Sequence, residues 1–208
     1  MQITVFGASG KVGRQIVGLA LEKGWQVTAF VHHSNPFTPH QNLTIIPGEL
    51  DDIAAVTKAV TGSEAVVSTL GSWHTEGKNI LTAGMRSIIP AMEERGVQRL
   101  VTLTGAGAFW SGDKPSTVDQ IIHRLLGLAA PQILHDGEEH LRLLAASSLD
   151  WTTVRSPVMT KRSSTGYRLT SELAPPWAGI ARAAVVQCII DQLEKTDWHR
   201  QAPIIRAD

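Results

Sequence analysis

The chain has 208 residues, with 19 basic and 19 acidic side chains and a formal net charge of zero. This length suits one domain with a sizeable core. A neutral chain gives no electrostatic basis for binding nucleic acid or an anionic membrane, and no apolar run approaches the ~18 residues of a membrane span. The single cysteine, Cys188, excludes an internal disulfide. With an apolar strand starting directly after Met1 and no signal peptide before it, we expect a cytoplasmic protein.

The first predicted elements are a strand over 3–6 and a helix over 13–23, joined by a glycine-rich turn. The turn reads Gly7-Ala8-Ser9-Gly10-Lys11-Val12-Gly13-Arg14. Glycine permits the tight turn, lets a pyrophosphate approach the backbone and allows the helix to pack close to the strand. The helix N-terminus supplies free N–H groups for the anion. Strand, spacing and helix together predict a dinucleotide-binding site.

Strands and helices alternate along the rest of the chain. Further strands are predicted over 25–31, 43–46, 64–70, 97–103 and 150–154, with a short edge strand over 203–205. Helices are predicted from a cap at Asp51 or Asp52 to 62, over 81–95 with a kink or bulge at Pro90, and over 118–128, 133–146 and 180–193. This order predicts an α/β fold, a Rossmann-like doubly wound parallel sheet in a single domain spanning 1–208. A loop within 157–180 is expected to form a small C-terminal lid over the substrate.

Ligands of such a sheet bind outside the carboxyl ends of its strands. That rule selects the residues that follow each predicted strand: 7–14, His32, His33, Glu49, Leu50, 70–73, Thr104, Gly105 and 156–159.

The end of the second strand bears on the choice of dinucleotide. NAD sites place an acidic side chain there for the ribose 2′-hydroxyl, but this chain has no carboxylate before Glu49. Arg14, His32 and His33 could instead meet a 2′-phosphate. We therefore expect NADP(H) to be favoured over NAD(H).

Six segments together resemble the atypical short-chain dehydrogenase/reductase group, in its NmrA-like branch that includes the biliverdin reductase B (flavin reductase) type. They are GASGKVG at Gly7, PGELDD at Pro47, AVVSTLGS at Ala65, GVQRLVTLTGAGAF at Gly96, SSLDWTTVRSP at Ser147 and TGYR at Thr165. The resemblance covers nearly the whole chain. It implies a single-domain NADPH-dependent reductase that passes hydride to a small planar conjugated acceptor, such as a flavin, a quinone or a linear tetrapyrrole.

The resemblance also assigns site residues. It places Gly7, Ser9, Gly10, Lys11 and Val12 in the pyrophosphate loop, Leu70 and Gly71 beside the adenosine ribose, Leu103 and Thr104 under the nicotinamide, and Pro157 between nicotinamide and substrate. Three positions depart from the family pattern. His32 replaces a common arginine, Gly105 replaces the serine of the biliverdin reductase B type, and Val158 replaces a histidine.

Catalytic groups are sparse in this chain. Many short-chain reductases use a Tyr-x-x-x-Lys pair, but the only tyrosine is Tyr167, and Ser171 stands four residues later. Thr104, at the end of the fifth strand, and Tyr167, in the lid, are the remaining candidates for catalysis; each could equally be structural. A flat acceptor needs no protein acid, since solvent can protonate the product.

The acceptor pocket is expected to involve Trp73, Phe109, Trp110 and Val158, although the aromatic residues could equally pack the loops. No His, Cys, Asp and Glu cluster has the spacing of metal ligands, so no metal site is predicted. Two other functions stay open: a non-catalytic dinucleotide sensor with a protein partner, and an epimerase of nucleotide-linked sugars.

Overall fold

A computed structural model describes residues 1–71, 78–173, 178–195 and 197–208. The strands are β1 (Gln2–Phe6), β2 (Gln26–Val31), β3 (Leu43–Pro47), β4 (Ala65–Ser68), β5 (Arg99–Gly105), β6 (Asp150–Ser156), β7 (Met159–Thr160), β8 (Arg168–Thr170), β9 (Ile180–Ala181) and β10 (Ile204–Arg206). The helices are α1 (Gly13–Glu22), α2 (Ile53–Val60), α3 (Ile80–Arg95), α4 (Thr117–Ala129), α5 (Pro131–Ala146) and α6 (Arg182–Glu194).

Eight of these strands form one sheet in the order β3-β2-β1-β4-β5-β6-β10-β8. Every neighbouring pair is parallel except β10 and β8, which are antiparallel. The order runs outward in both directions from β1, which is the mark of a doubly wound sheet. The predicted Rossmann-like fold is therefore confirmed. The two-residue strands β7 and β9 pair separately.

Helices cover both faces of the sheet. In β1 the side chain of Val5 packs into the cluster formed with α1 and α6, whereas the next side chain, Phe6, packs into the cluster formed with α2, α3 and α5. Successive strand residues point to opposite faces, so a strand buried on both sides is apolar throughout. This explains why Ile3–Phe6 has no polar alternation apart from Thr4, whose hydroxyl donates to the carbonyl of Ala59 at 2.5 Å.

The structure corrects the prediction at two places. The loop expected within 157–180 includes residues 160–171, but β8 lies there and forms an edge of the main sheet. Because β8 pairs outside β10, the strand predicted over 203–205 is internal and not an edge. Helix α3 runs through Pro90, and the kink or bulge expected there stays a prediction. The helix cap at Asp52 is confirmed, since its carboxylate accepts from the N–H of Ala55 at 3.0 Å.

Within the described residues, none of the helices combines the length and apolar character that a bilayer crossing requires.

Candidate active site

The turn after β1 requires glycine at two positions. Gly7 has a φ of +72°, and a Cβ there would lie 2.8 Å from the backbone of Thr69. A Cβ on Gly13 would lie 2.2 Å from the carbonyl oxygen of Gly7. A side chain at either position would collide with backbone, which cannot move aside as a side chain can. The turn is therefore held tightly between the ends of β1 and β4 and the start of α1.

The start of α1 is open to an anion. Val12 stands at the cap position without a capping hydrogen bond from its side chain, and the first turn contains no acidic residue. Gly10 is exposed, so its missing side chain leaves room outside the turn. Free N–H groups, the positive end of the helix dipole and the bare Gly10 together fit a pyrophosphate.

Arg14 lies across this turn. Its Nε donates to the carbonyl oxygen of Ser9 at 2.9 Å, and the side chain is exposed. This contact keeps a permanent positive charge beside the open helix end. Lys11 is also exposed, so both cations at the turn are accessible to a phosphate group.

The end of β4 borders the same turn. The N–H of Thr69 donates to the carbonyl of Phe6 at 3.0 Å, and its hydroxyl donates to the same oxygen at 3.2 Å. Leu70 is half-buried against α3, where a Cβ on Gly84 would lie 2.4 Å from Leu70 Cδ1. Gly71 is exposed. Leu70 and Gly71 are the residues predicted to lie beside the adenosine ribose. Trp73, which was predicted to line the acceptor pocket, lies outside the described residues.

A second group of polar side chains lies at the ends of β2 and β3. The two strands pair in register from Val27 and Leu43 up to Val31 and Pro47. His32 and His33 follow β2, and Glu49 follows β3, so the fold brings them to one corner. His32 Nε2 contacts Glu49 Oε1, and the rings of His32 and His33 lie with centroids 3.3 Å apart and planes tilted by 38°. Leu50 is half-buried beside them in the chain, against the α2 and α3 cluster.

The end of β5 presents its two predicted residues to opposite faces. Leu103 packs into the α1 and α6 cluster, whereas Thr104 faces α5. Thr104 is only 7% exposed, and its Oγ1 lies 3.0 Å from the position of a Cβ on Gly137. Gly137 therefore allows α5 to approach the end of β5. Its importance could not be read from the sequence, because nothing local distinguishes a glycine within a helix.

Two inward-facing ionisable residues of α5 flank Gly137. Asp136 is buried and its carboxylate accepts from the N–H groups of Leu81 and Thr82, at 3.1 and 2.8 Å. It thus caps the N-terminus of α3. His140 is fully buried, and neither ring nitrogen has a hydrogen-bond partner among the described residues. Burial lowers its pKa to about 4, against the opposing effect of the Asp136 carboxylate. His140 is therefore neutral near pH 7.

The loop after β5 is anchored from beneath by a buried ion pair. Arg155 on β6 donates to both oxygens of Asp113, at 2.6 and 2.7 Å, and to the carbonyls of Ala108 and Ala202. Both charged side chains are almost completely buried. A bidentate pair of this kind fixes the path of the loop from Ala108 to Asp113.

This loop carries two residues predicted to line the acceptor pocket. Phe109 stacks on His123 of α4, with ring centroids 4.2 Å apart. Trp110 instead packs edge-on against Trp151, at a centroid distance of 5.7 Å, and joins the cluster beneath α3 and α5. Trp151 is the second residue of β6, so the Trp110 ring points back toward the amino end of the sheet. The rings of Phe109 and Trp110 therefore do not line one continuous surface.

The chain after β6 separates the next two predicted residues. Pro157 is buried, whereas Val158 is 61% exposed. The carbonyl of Val158 accepts from the N–H of Ile180 at 3.0 Å, beside the pairing of β7 with β9. Pro157 thus lies at the carboxyl edge of the sheet with Thr104, whose strand pairs with β6.

Tyr167 lies apart from this edge. Its hydroxyl donates to Asp191 Oδ2 of α6 at 2.5 Å, and burial together with this bond raises its pKa. The neighbouring Gln192 carbonyl accepts from Arg99, the first residue of β5, whereas Thr104 stands near the other end of that strand. The structure therefore does not bring together the two residues predicted as catalytic.

Comparison with known proteins agrees with this architecture. A model of the NAD(P)H-binding family matches residues 7–196. The chain belongs to this family. The match begins at the first glycine of the turn, which confirms the predicted dinucleotide-binding domain.

Relatives and solved structures are similar along most of the chain. The uncharacterized protein YwnB of Bacillus subtilis is 26% identical over 152 residues, covering 73% of this chain and 70% of YwnB. A short-chain dehydrogenase/reductase from Veillonella parvula, solved in complex with NADP, has a TM-score of 0.79 at 22% identity, covering 98% of this chain and 93% of that one. ChuY, an anaerobilin reductase from Escherichia coli O157:H7, has a TM-score of 0.80 at 20% identity, covering 100% and 97%.

Several other curated relatives are longer proteins, and the chain spans about a third of their length or less. At these identities the solved structures establish the fold.

Proposed function

We propose that this member of the NAD(P)H-binding family is an NADPH-dependent reductase that transfers hydride to a small planar conjugated acceptor, such as a flavin or a quinone. The family match supports a nicotinamide dinucleotide as the ligand. The anaerobilin reductase among the similar structures and a 2-alkyl-3-oxoalkanoate reductase among the relatives are in keeping with reductase chemistry.

The observation that carries the acceptor class is the surroundings of Thr104. The inward ionisable side chains of α5 are unsuited to donate a proton there, since Asp136 is bound to the start of α3 and His140 is neutral and buried. Tyr167 is held by Asp191 on α6. With these three groups unsuited as acids, the surroundings of Thr104 favour acceptors whose reduced form takes its proton from water.

The bound dinucleotide would supply a hydride, which carries two electrons, and would leave oxidised. The glycine turn and the α1 N-terminus would hold its pyrophosphate, with Arg14 covering the turn. Leu103, Thr104 and Pro157 would support the nicotinamide at the sheet edge. The protein then contributes orientation and exclusion of water, and the acceptor gains one hydride and one solvent proton.

Steady-state assays test this proposal directly. NADPH oxidation is followed with FMN, menadione, dichlorophenolindophenol and biliverdin as acceptors, and we expect turnover with at least one. Gly10→Ala adds a methyl group on the side where the pyrophosphate would lie, 3.2 Å from the carbonyl oxygen of Gly7, and should raise the KM for NADPH roughly tenfold. Gly18→Ala is the matched control, because nothing lies within 4 Å of its Cβ position on α1.

Cofactor binding without oxidation across the panel would contradict the reductase and favour the dinucleotide sensor. Loss of binding in both glycine variants would remove the turn as its site.

We also propose that NADP(H) is preferred over NAD(H), because Arg14, His32 and His33 are exposed at the edge where a 2′-phosphate would lie. Glu49 opposes this preference through its contact with His32. Arg14→Ala should therefore weaken NADPH binding more than NADH binding, and Glu49→Gln should do the reverse. Arg95→Ala, at the far end of α3, is the control. Equal changes for both dinucleotides in Arg14→Ala would contradict the preference.

The proposed reductase would work in a reducing compartment such as the cytoplasm. Cys188 is completely buried, and burial raises the pKa of its thiol, so it serves as a core side chain and would not react readily with disulfides.

A further inference from the structure

The corner formed by His32, His33 and Glu49 has a chemistry that dinucleotide binding does not require. Their ligand atoms, one imidazole nitrogen from each histidine and one carboxylate oxygen, all lie within 4.8 Å of one another. Their side chains are exposed, so a hydrated ion could reach them. It is the only group of three such side chains found among the described residues.

The backbone explains why the cluster forms. The N–H of Gly48 donates to the carbonyl of Val31 at 3.0 Å, which extends the pairing of β2 and β3 past the end of both strands. His32 and Glu49 consequently leave the sheet side by side, although 17 positions separate them in sequence. Strands β2 and β3 pair over five residue pairs at one edge of the sheet. This pairing fixes the position of His32 relative to Glu49.

Two imidazoles and one carboxylate form a ligand set that zinc uses in proteins, with the fourth position left open. Tetrahedral zinc at bonds of about 2.1 Å would hold its ligand atoms roughly 3.4 Å apart. His32 and Glu49 are already in direct contact, and rotation of exposed side chains can close the remaining distance. Imidazole nitrogen together with carboxylate oxygen also selects zinc-like ions over magnesium or calcium, which prefer oxygen ligands alone.

We propose that His32, His33 and Glu49 form a binding site for Zn²⁺, and that zinc and NADPH compete for this corner. The competition rests on the proposed function, because it requires the adenosine 2′-phosphate to use the same histidines. The zinc site itself does not rest on it. When a histidine coordinates the ion, the coordinating ring nitrogen carries no hydrogen. It therefore cannot donate a hydrogen bond to a phosphate.

Calorimetric titration of tag-free, chelator-treated and dialysed protein with ZnCl₂ tests the site without any cofactor. We expect one ion per chain. The variants His32→Ala, His33→Ala and Glu49→Gln should each weaken zinc binding at least roughly tenfold. Loss of a group that only supports a metal ligand already costs about that much in metal affinity. His199→Ala is the matched control. His199 Nδ1 lies 2.9 Å from Asp150 Oδ1, and among the described residues no third metal-ligating side chain joins this pair.

Absence of zinc binding, or equal loss in His199→Ala, would overturn the site. The overlap is tested separately by titrating NADPH with and without ZnCl₂. We expect zinc to raise the apparent Kd for NADPH in the wild type and to have no effect in the His32→Ala/His33→Ala double variant. Zinc binding with an unchanged NADPH affinity would overturn the competition. A protein that binds zinc but not NADPH would instead count against the proposed function.

Discussion

The glycine turn and the segment after β5 lie at the same edge of the sheet but are built in different ways. The turn is fixed by backbone against backbone: Gly7, Gly13 and the main chain of Thr69 leave no room for side chains. The segment after β5 is held largely by side chains, foremost the buried ion pair of Arg155 with Asp113. A turn held by backbone contacts keeps its N–H groups in one arrangement. A loop held by side chains can change its surface without a change of fold.

Exposed apolar surface follows the same division. Helix α4 contains no buried residue. Four large apolar side chains are exposed on it, Val118, Ile121, Leu125 and Leu128. Helix α1, by contrast, buries Ile16, Val17 and Ala20, and none of its large apolar side chains is exposed. The helix that follows the glycine turn is thus packed into the core, whereas α4, which follows the loop after β5, carries apolar residues on its surface.

Removal of the ion pair should have the largest effect and would test whether a single contact anchors the loop. Arg155→Ala leaves Asp113 buried without a counter-charge, and we expect a loss of about 3–5 kcal/mol in the free energy of unfolding. Urea denaturation measures this. Replacing both partners with apolar residues, as in Arg155→Met/Asp113→Leu, should recover part of the loss. It removes the unpaired charge but leaves the carbonyls of Ala108 and Ala202 without their donor. A decrease below 1 kcal/mol in Arg155→Ala would mean that other contacts hold the loop.

The buried side chain of His140 should make the stability of the protein depend on pH. In the folded state the pKa of His140 is lowered to about 4, whereas in the unfolded chain it is about 6.5. The unfolded state therefore binds more protons between these values, so stability falls as the pH is lowered from 6.5 to 4, by up to roughly 3 kcal/mol. Denaturation midpoints of the wild type and His140→Leu across this range should diverge, with the variant less sensitive to pH. Parallel curves would contradict the assignment.

The turn itself is tested by Gly13→Ala. The added Cβ would collide with the carbonyl of Gly7, and such overpacking costs about 1–3 kcal/mol. In the same helix, Gly18→Ala should stabilise the protein by about 0.5–1 kcal/mol, because alanine favours a helix and the position is open. Thermal unfolding of the two variants should therefore shift in opposite directions. Similar shifts would show that the turn is less rigid than its backbone contacts indicate.

Tyr167→Phe should have the smallest effect. It removes the hydrogen bond to Asp191, which is worth about 1 kcal/mol, while the side chain lies away from Thr104. We expect the kcat for NADPH oxidation to be unchanged within about twofold, whereas Thr104→Val should lower it. A large fall in kcat for Tyr167→Phe, with KM unaffected, would return this residue to the site.

Local sequence patterns are enough to predict the α/β class, most of the element order and the glycine-rich turn. These features depend on local patterns: buried strands are continuously apolar, helices repeat every 3.6 residues, and a tight turn needs glycine. The same local logic placed Asp52 at the start of α2. It failed at β8, because residues 168–170 become a strand only by pairing with β10.

Contacts between side chains that are distant in sequence become visible only in the folded chain. Glu49 joins His32 because β2 and β3 pair in register, Gly137 reaches Thr104 because α5 packs against the end of β5, and Arg155 meets Asp113 because a loop returns over β6. Trp110, which was predicted to line the acceptor pocket, packs its ring edge-on against Trp151. The sequence spacing of such pairs carries no signal, since contacts between distant segments are set by the register and packing of whole elements and not by local preference.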